Sequence, residues 1–458
     1  MLTTQNAGIS AELMAKVDRR PAWPYSRPNG DEKDRQTGDC IMTRSILFAF
    51  LAAVSLALGA PAQAAPPAPS EIKIGELYAG TGSFAQIAMP TYDAFKLWVS
   101  QQNATGGVYV GAFHKKIPIK LISYDDQSSP ATAATLYNQL ITQDKVNLLI
   151  SDYGSVLTAP AVTIAREHKQ FLIDVGAESA LFFTKDNPYI VEIATPVTTV
   201  ALKYLAEFLN SEGAKYGLKR VAIVYSTNDY TGAIASALTD LIKSAGKLKI
   251  VYDQGVPTST LNYTVLINNI AATHPDAMIE LGYPSNDIAF MRNLQGLSAN
   301  FPFVFTLYSG QEMDEVEHAV GAAAMTNVFS NVTGANYSYK TTFGPRVAAV
   351  HAMWDKAYPP GSGLDWGEGA LQGYETGLVL QQALAQAKSL DQLAIRHAVF
   401  SLSGKLTTLD GPFVLDPDGA QLGETLPLGQ VRPNGKGGLK LVVVYPPNLA
   451  NGKPVISK

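Results

Sequence analysis

The stretch Val146-Asn-Leu-Leu-Ile-Ser-Asp-Tyr-Gly-Ser-Val-Leu-Thr-Ala-Pro-Ala-Val-Thr-Ile-Ala165 carries an apolar run of strand length. The small-residue turn Gly154-Ser155 comes next, then the helical apolar pattern Val162, Ile164, Ala165. A strand, a loop and a helix N-terminus thus follow one another directly. In an open α/β sheet ligands gather at the carboxyl ends of strands, and the free N–H groups that open the next helix favour an anionic group. The Ser155 hydroxyl either donates to a bound acceptor or caps the helix, and this stretch alone leaves both readings open.

Outward from that point the same alternation recurs. Upstream, Glu71-Ile-Lys-Ile-Gly-Glu-Leu-Tyr reads as a first strand, followed by the glycine loop Ala79-Gly-Thr-Gly-Ser-Phe and an amphipathic run from Met89 to Asn103. Gly80-x-Gly82 lacks a third glycine or a Gly-Lys-Ser/Thr, so it is a weak phosphate signal. A strand over 117–124 ends in Asp125-Asp126, and Ser129-Pro130 supplies a cap and first-turn proline for the next helix. The paired aspartates invite an acid/base or metal reading, but a place beside a loop and a cap favours a structural one. Downstream, strands over 171–175, 189–193, 220–225, 249–252, 276–281 and 302–307 mostly alternate with helices over 200–209, 232–244, 263–272 and 287–294. Such alternation predicts parallel sheets flanked by helices, and there are too many units for one sheet. Two lobes are expected. After a strand over 326–330 the chain turns helical, over 342–357, 368–387 and 390–400, which suggests a return to cover the first lobe. The segment 409–444 is strand-like, with Asp-Gly and Asn-Gly turns.

The 458 residues are 47% hydrophobic and 16% charged, with a formal net charge of −4, which describes a large globular core and gives no electrostatic reason to expect nucleic acid. Met42-Thr-Arg-Ser, the apolar run from Ile46 to Gly59 and Ala62-x-Ala64 read as a secretory signal peptide over 42–64, so the protein is expected in the periplasm. Residues 1–41 carry mixed charges and prolines without an apolar period and read as a disordered upstream extension from a misplaced start codon. The single cysteine, Cys40, precedes the apolar run, so the exported chain is expected to have no thiol, disulfide or cysteine metal site.

Five phrases in register resemble one family: Ile72-Lys-Ile-Gly-Glu-Leu, Thr81-Gly-Ser-Phe-Ala, Asn103-Ala-Thr-Gly-Gly-Val, Tyr124-Asp-Asp-Gln-Ser-Ser-Pro-Ala and Asn228-Asp-Tyr-Thr-Gly. The chain resembles the periplasmic substrate-binding proteins of ABC importers, in particular the branched-chain amino acid and amide group with the type I fold. That resemblance implies two α/β lobes joined by three hinge crossovers, with 71–193 and 332–424 in the N-terminal lobe and 194–331 and 425–458 in the C-terminal lobe. It also implies a monomer without metal or cofactor that captures a small molecule of the amino acid or amide class between the lobes and delivers it to ABC permease subunits. By position, Ser155 resembles the hydroxyl that meets a ligand carboxylate, with Tyr153 beside it, and Gly176 and Ala177 resemble the second ligand loop. Tyr230 and Tyr283 match tyrosines of the second lobe, Glu312 the partner of a ligand ammonium, and Tyr78 and Phe84 side-chain walls. Tyrosines number 21, so any of them is also open to a packing role, and Glu312 is open to favouring a helix first turn.

The departures from the family pattern bear on the ligand. Glu178 stands where the family commonly has Ser or Thr, and Ser151-Asp152 where it has glycine. A carboxylate only accepts hydrogen bonds and repels an anion, so an amide, urea-like or cationic ligand competes with a plain aliphatic amino acid, provided Glu178 faces the cleft. A serine hydrolase using Ser155 is the enzyme alternative. The histidines at 114, 168, 274, 318, 351 and 397 are scattered, and neither a Gly-x-Ser-x-Gly elbow nor His-Glu-x-x-His is present. A cytoplasmic amide sensor conflicts with the signal peptide, whereas a periplasmic sensor acting through a membrane receptor stays open.

Overall fold

In the computed structural model, the described residues are 67–456 apart from Ser298 and Pro360. The signal-peptide and upstream-extension readings, and Cys40, lie outside them. The strands are β1 (Ile72–Tyr78), β2 (Val108–Val110), β3 (Lys115–Ile117), β4 (Ile119–Asp125), β5 (Leu148–Ile150), β6 (Leu172–Asp174), β7 (Ile190–Glu192), β8 (Arg220–Ser226), β9 (Lys249–Val256), β10 (Ala277–Leu281), β11 (Phe303–Thr306), β12 (Phe329–Asn331), β13 (Leu428–Pro433) and β14 (Leu439–Tyr445). The longer helices are α1 (Ala85–Ala104), α2 (Pro130–Thr142), α3 (Gly154–His168), α4 (Lys203–Ser211), α5 (Thr231–Ala245), α6 (Thr264–Ala272), α7 (Pro284–Leu297), α8 (Met313–Val320), α9 (Val347–Ala357), α10 (Glu368–Gln386) and α11 (Gln392–Phe400).

Two main sheets result. The first is wholly parallel in the order β4-β1-β5-β6-β7, while the second runs β14-β13-β12-β11-β10-β8-β9, parallel except for the antiparallel β13 and β14 at one edge. Central strands β5 and β10 are buried at every residue, as parallel strands covered on both faces must be, whereas the edge strands β4 and β9 are half-exposed. This is the α/β, type I arrangement expected, with the strand-to-helix turn at Ser151–Tyr153 three residues earlier than Gly154-Ser155. Gly154 explains the shift: its φ of +75° lets the chain swing from an extended Tyr153 straight into α3, a conformation a side chain would strain.

Ser129 caps α2 by accepting the Thr132 N–H at 3.3 Å, with Pro130 in the first turn, as its sequence predicts. The late helices return to the first sheet. Trp98 and Phe95 of α1 share a core with Ala370, Leu371 and Tyr374 of α10. The close approach is set by a stripe of glycines on α10: a Cβ on Gly373 would lie 1.9 Å from the Thr91 carbonyl oxygen, and one on Gly377 2.3 Å from the Trp98 ring.

The chain passes between the two sheets three times, and the passages are tied together. The Thr195 N–H donates to Glu424 Oε2 at 3.1 Å, Gln421 Nε2 to the Ile193 carbonyl at 3.1 Å, and the Val332 N–H to the Pro427 carbonyl at 2.9 Å. Glu424 in turn accepts from Thr408, and the Asp410 N–H donates to Glu375 Oε2 at 2.9 Å. No described helix is long and apolar enough to cross a membrane.

Candidate functional site

Each parallel sheet reverses its strand order once, between β1 and β5 in the first and between β8 and β10 in the second. Loops leaving the carboxyl ends of those strands are where such sheets hold ligands. Here the two sets of loops touch. Phe84, after β1, meets the Tyr283 ring edge-on with centroids 5.1 Å apart, and the Tyr153 hydroxyl, after β5, lies 3.0 Å from that of Tyr308, after β11. Phe84, Tyr153 and Leu157 share one core with Leu202, Tyr230, Tyr283 and Tyr308, so the lobes are closed on each other.

A chain of hydroxyls crosses this junction. Tyr308 donates to Tyr230 at 3.3 Å, and Tyr230 donates to Glu178 Oε1 at 3.1 Å. A phenol has one proton, so Tyr153 must be the donor to Tyr308. The Tyr283 ring completes the cluster, 5.7 Å from Tyr230 and stacked 6.3 Å from Tyr308. Burial raises the pKa of all four tyrosines, which stay neutral phenols. Glu178 therefore faces the cleft. Burial pushes its carboxyl up to about 8, aided by Asp174 and Asp410 and opposed by the Tyr230 hydrogen bond. Glu368, at the first turn of α10, is raised by burial and then by the charges of Asp410, Glu178 and Glu312.

The loop after β6 bears on the expectation that Gly176 and Ala177 form the second ligand loop. Their N–H groups donate to Asp174 Oδ1, at 3.3 and 2.9 Å, and Ser151 donates to the same oxygen at 3.0 Å. The chain's own carboxylate thus occupies the donors that a ligand carboxylate would need. Asp152 does likewise with the Tyr153 N–H, at 2.6 Å. Ser155 does not cap its helix: Tyr153 holds the cap position, and Ser155 Oγ is buried without a partner.

Two further expectations end elsewhere. Tyr78 stacks on Tyr92 at 4.4 Å, and among the described residues no hydrogen bond or ring contact joins it to the tyrosine cluster. Glu312 neither caps its own helix α8 nor enters the tyrosine cluster, because its Oε1 accepts the Gly369 N–H of α10 at 3.1 Å. A residue of one lobe thereby caps a helix of the other, across a helix end whose first N–H groups have no partner within the helix. Glu312→Ala is expected to cost about 1–2 kcal/mol of stability, and Glu312→Gln, which keeps an acceptor, clearly less. Thermal denaturation of both variants checks this, and equal midpoints for wild type and Glu312→Ala would remove the capping role.

The paired aspartates are structural. Asp125 accepts the N–H groups of Gly80 and Gln127, both at 2.8 Å, and Asp126 that of Ser128 at 2.9 Å. A carboxylate on the glycine loop also opposes phosphate there. His168 ends α3 in an exposed position, 3.1 Å from Asn138. Among the described residues no group of three or more His, Cys, Asp and Glu is arranged to hold a metal ion.

Sequence reasoning passes over three members of this centre. Tyr308 follows β11 directly and was open to the strand-end argument applied to Tyr283. Glu368 reads as an ordinary acidic first-turn residue, and Gln372 as a helix-surface amide; nothing local marks either as buried.

A family model described as periplasmic binding protein matches residues 71–437. The chain belongs to that family. A curated family relative, Leu/Ile/Val-binding protein homolog 7 of Brucella abortus, is 22% identical over 86% of this chain and 96% of its own length. The branched-chain amino acid transporter substrate-binding protein LivJ of Streptococcus pneumoniae, solved with isoleucine, covers 81% of this chain and 99% of its own, at 20% identity and a TM-score of 0.66. A solute-binding protein of an ABC transporter from R. palustris, solved with benzoate, covers 85% and 98%, at 17% identity and the same TM-score. These likenesses fix the type I fold of this periplasmic binding protein, while the ligands of the two solved structures, isoleucine and benzoate, differ in charge type.

Proposed function

We propose that this protein is the extracytoplasmic solute-binding component of an ABC importer. It captures a small nitrogen-bearing solute of the amino acid and amide class between its lobes and presents the closed form to the membrane permease subunits. The observation that carries this reading is the hydroxyl chain Tyr153–Tyr308–Tyr230–Glu178, which joins the lobes across the two strand-order reversals and is lined by buried polar atoms that no protein group satisfies. Segments 71–193 with 332–424 and 194–331 with 425–458 act as the two rigid lobes of a monomer, hinged at the three tied passages. Export through the 42–64 signal peptide puts the protein in the periplasm.

Phe84, Tyr153, Ser155, Glu178, Tyr230 and Tyr283 line the solute site, joined by Tyr308, Glu368 and Gln372. Gly176 and Ala177 shape it from behind Asp174, and Tyr78 and Glu312 stand at its margin. Capture in this reading involves no covalent step; among the described residues Ser155 Oγ has no hydrogen-bond partner and is left to the solute.

Binding to the folded state raises stability by mass action, about 2.7 kcal/mol when solute stands a hundredfold above its Kd. A thermal-shift panel of amino acids, amides, ureas, amines and aromatic acids is therefore expected to yield a stabilising member. Silence across the panel, with turnover of an ester substrate, would overturn the reading.

A further inference from the structure

We propose that the cleft recognises its solute through a cationic N–H-rich group, an alkylammonium or a guanidinium, and has no subsite for a free carboxylate. This rests on the cleft being the solute site.

Among the described residues, five side-chain atoms around the tyrosine cluster have no hydrogen-bond partner: Ser155 Oγ, Glu178 Oε2, Tyr283 OH, Glu368 Oε2 and Gln372 Oε1. Their residues are between 2% and 5% exposed, so bulk solvent does not serve them. With Glu178 and Glu368 ionised, the form a bound cation favours, three of the five are acceptor oxygens, and the other two are hydroxyls that give or take. Gln372 donates one of its two amide N–H groups to Glu368 Oε1 at 3.0 Å, and its oxygen faces Gly176, 2.8 Å from where a Cβ would stand. The site is thus short of donors. A solute bringing several N–H groups completes it, and one bringing a carboxylate does not.

The charge balance points the same way. Glu178 and Glu368 are two buried carboxyls close enough to act on each other, and among the described residues no lysine, arginine or histidine is hydrogen-bonded or ion-paired to either. A buried ionised carboxyl needs a partner charge, and hydrogen bonds to a charged donor are about twice as strong as neutral ones. The rings of Tyr153, Tyr230, Tyr283 and Tyr308 pack in one cluster beside Glu178, and the face of a phenol attracts a cation. Against an anion stand the backbone donors of Gly176, Ala177 and Tyr153, already spent on Asp174 and Asp152. Ser155 alone is a poor oxyanion site beside two carboxyls.

The test uses one chain length with four head groups: butylguanidine and butylamine as cations, butyramide as the neutral donor and butyrate as the anion, with leucine as the zwitterion. Each is titrated against the whole exported protein by thermal shift and calorimetry. Butylguanidine or butylamine is expected to bind, with butyramide, butyrate and leucine at least tenfold weaker. Glu178→Gln keeps the shape and an acceptor for Tyr230 but removes the charge, so the cation should bind it roughly tenfold to a hundredfold more weakly. Glu368→Gln repeats the test on the other carboxyl, should one variant fail to fold. Preferred binding of leucine, butyrate or butyramide overturns the cation assignment and leaves the solute-binding reading standing. Cation binding undiminished in both variants also overturns it. No binding by any of the five overturns the assignment, and the wider panel above then decides separately whether the protein binds solutes at all.

Discussion

Gly373→Val is expected to cost about 3 kcal/mol or more, enough to lower the thermal midpoint sharply or to prevent accumulation of folded protein. Helix propensity works in the opposite direction, since glycine inside a helix is about 1 kcal/mol worse than alanine. Packing decides the sign. A Cβ at Gly373 would lie 1.9 Å from the Thr91 carbonyl oxygen, and the obstacle is helix backbone that cannot rotate away, so α1 and α10 would have to separate. That separation would also open the core around Trp98, which stands against Gly377 on the next turn. Gly232, in α5, supplies the control. Nothing lies within 4 Å of its Cβ position, so Gly232→Ala should be neutral or stabilising by up to about 1 kcal/mol. Denaturant or thermal unfolding of the two variants gives the comparison, and a Gly373→Val protein as stable as wild type would refute the close-packed glycine stripe.

Stability is also expected to fall as pH rises from about 5 to about 8.5. Burial pushes Glu178 and Glu375 up to about 8, Asp174 and Glu315 to about 7, and Asp410 and Asp287 to about 6. In the unfolded chain these groups ionise near 4. Between the two values the folded state holds more protons than the unfolded state, so raising the pH favours unfolding, by about 1.4 kcal/mol per pH unit for each carboxyl in its window. The contribution is complete below about pH 4 and lost as pH passes the folded values of 6 to 8. Thermal unfolding at fixed ionic strength from pH 5 to 8.5 measures the slope, and Glu375→Gln, at the tied passages, should flatten it. A midpoint that rises over this interval would contradict the protonated carboxyl network.

Several features were legible because they are local. Ser129-Pro130 announces a helix start through a hydroxyl three residues from the N–H it accepts and a proline that needs no donor. The meeting of Tyr153, Tyr230 and Tyr283 at one junction was legible for another reason. Each closely follows a strand end, and in parallel sheets the strand ends on either side of an order reversal converge. Ser155 was ambiguous between cap and ligand contact, and the structure removes the cap reading.

Alternation of short apolar runs with amphipathic segments was enough to determine two largely parallel sheets, helical cover and a pair of lobes, because continuous apolar runs of strand length and a period of 3.6 residues are written into neighbouring positions. Tertiary structure alone decided what the polar groups do. Glu312 caps a helix 57 positions away in the other lobe, Tyr153 meets Tyr308 from the opposite lobe, and Glu368 and Gln372 are drawn from a helix start into the tyrosine cluster. The turn of the Gly176 and Ala177 N–H groups to Asp174 spans only two and three residues and is local. The long-range contacts share one physical reason. A backbone segment adopts its form from its own side chains, but a buried carboxyl or phenol takes whichever partner the packed lobes bring within hydrogen-bond reach, and that partner has no fixed distance along the chain.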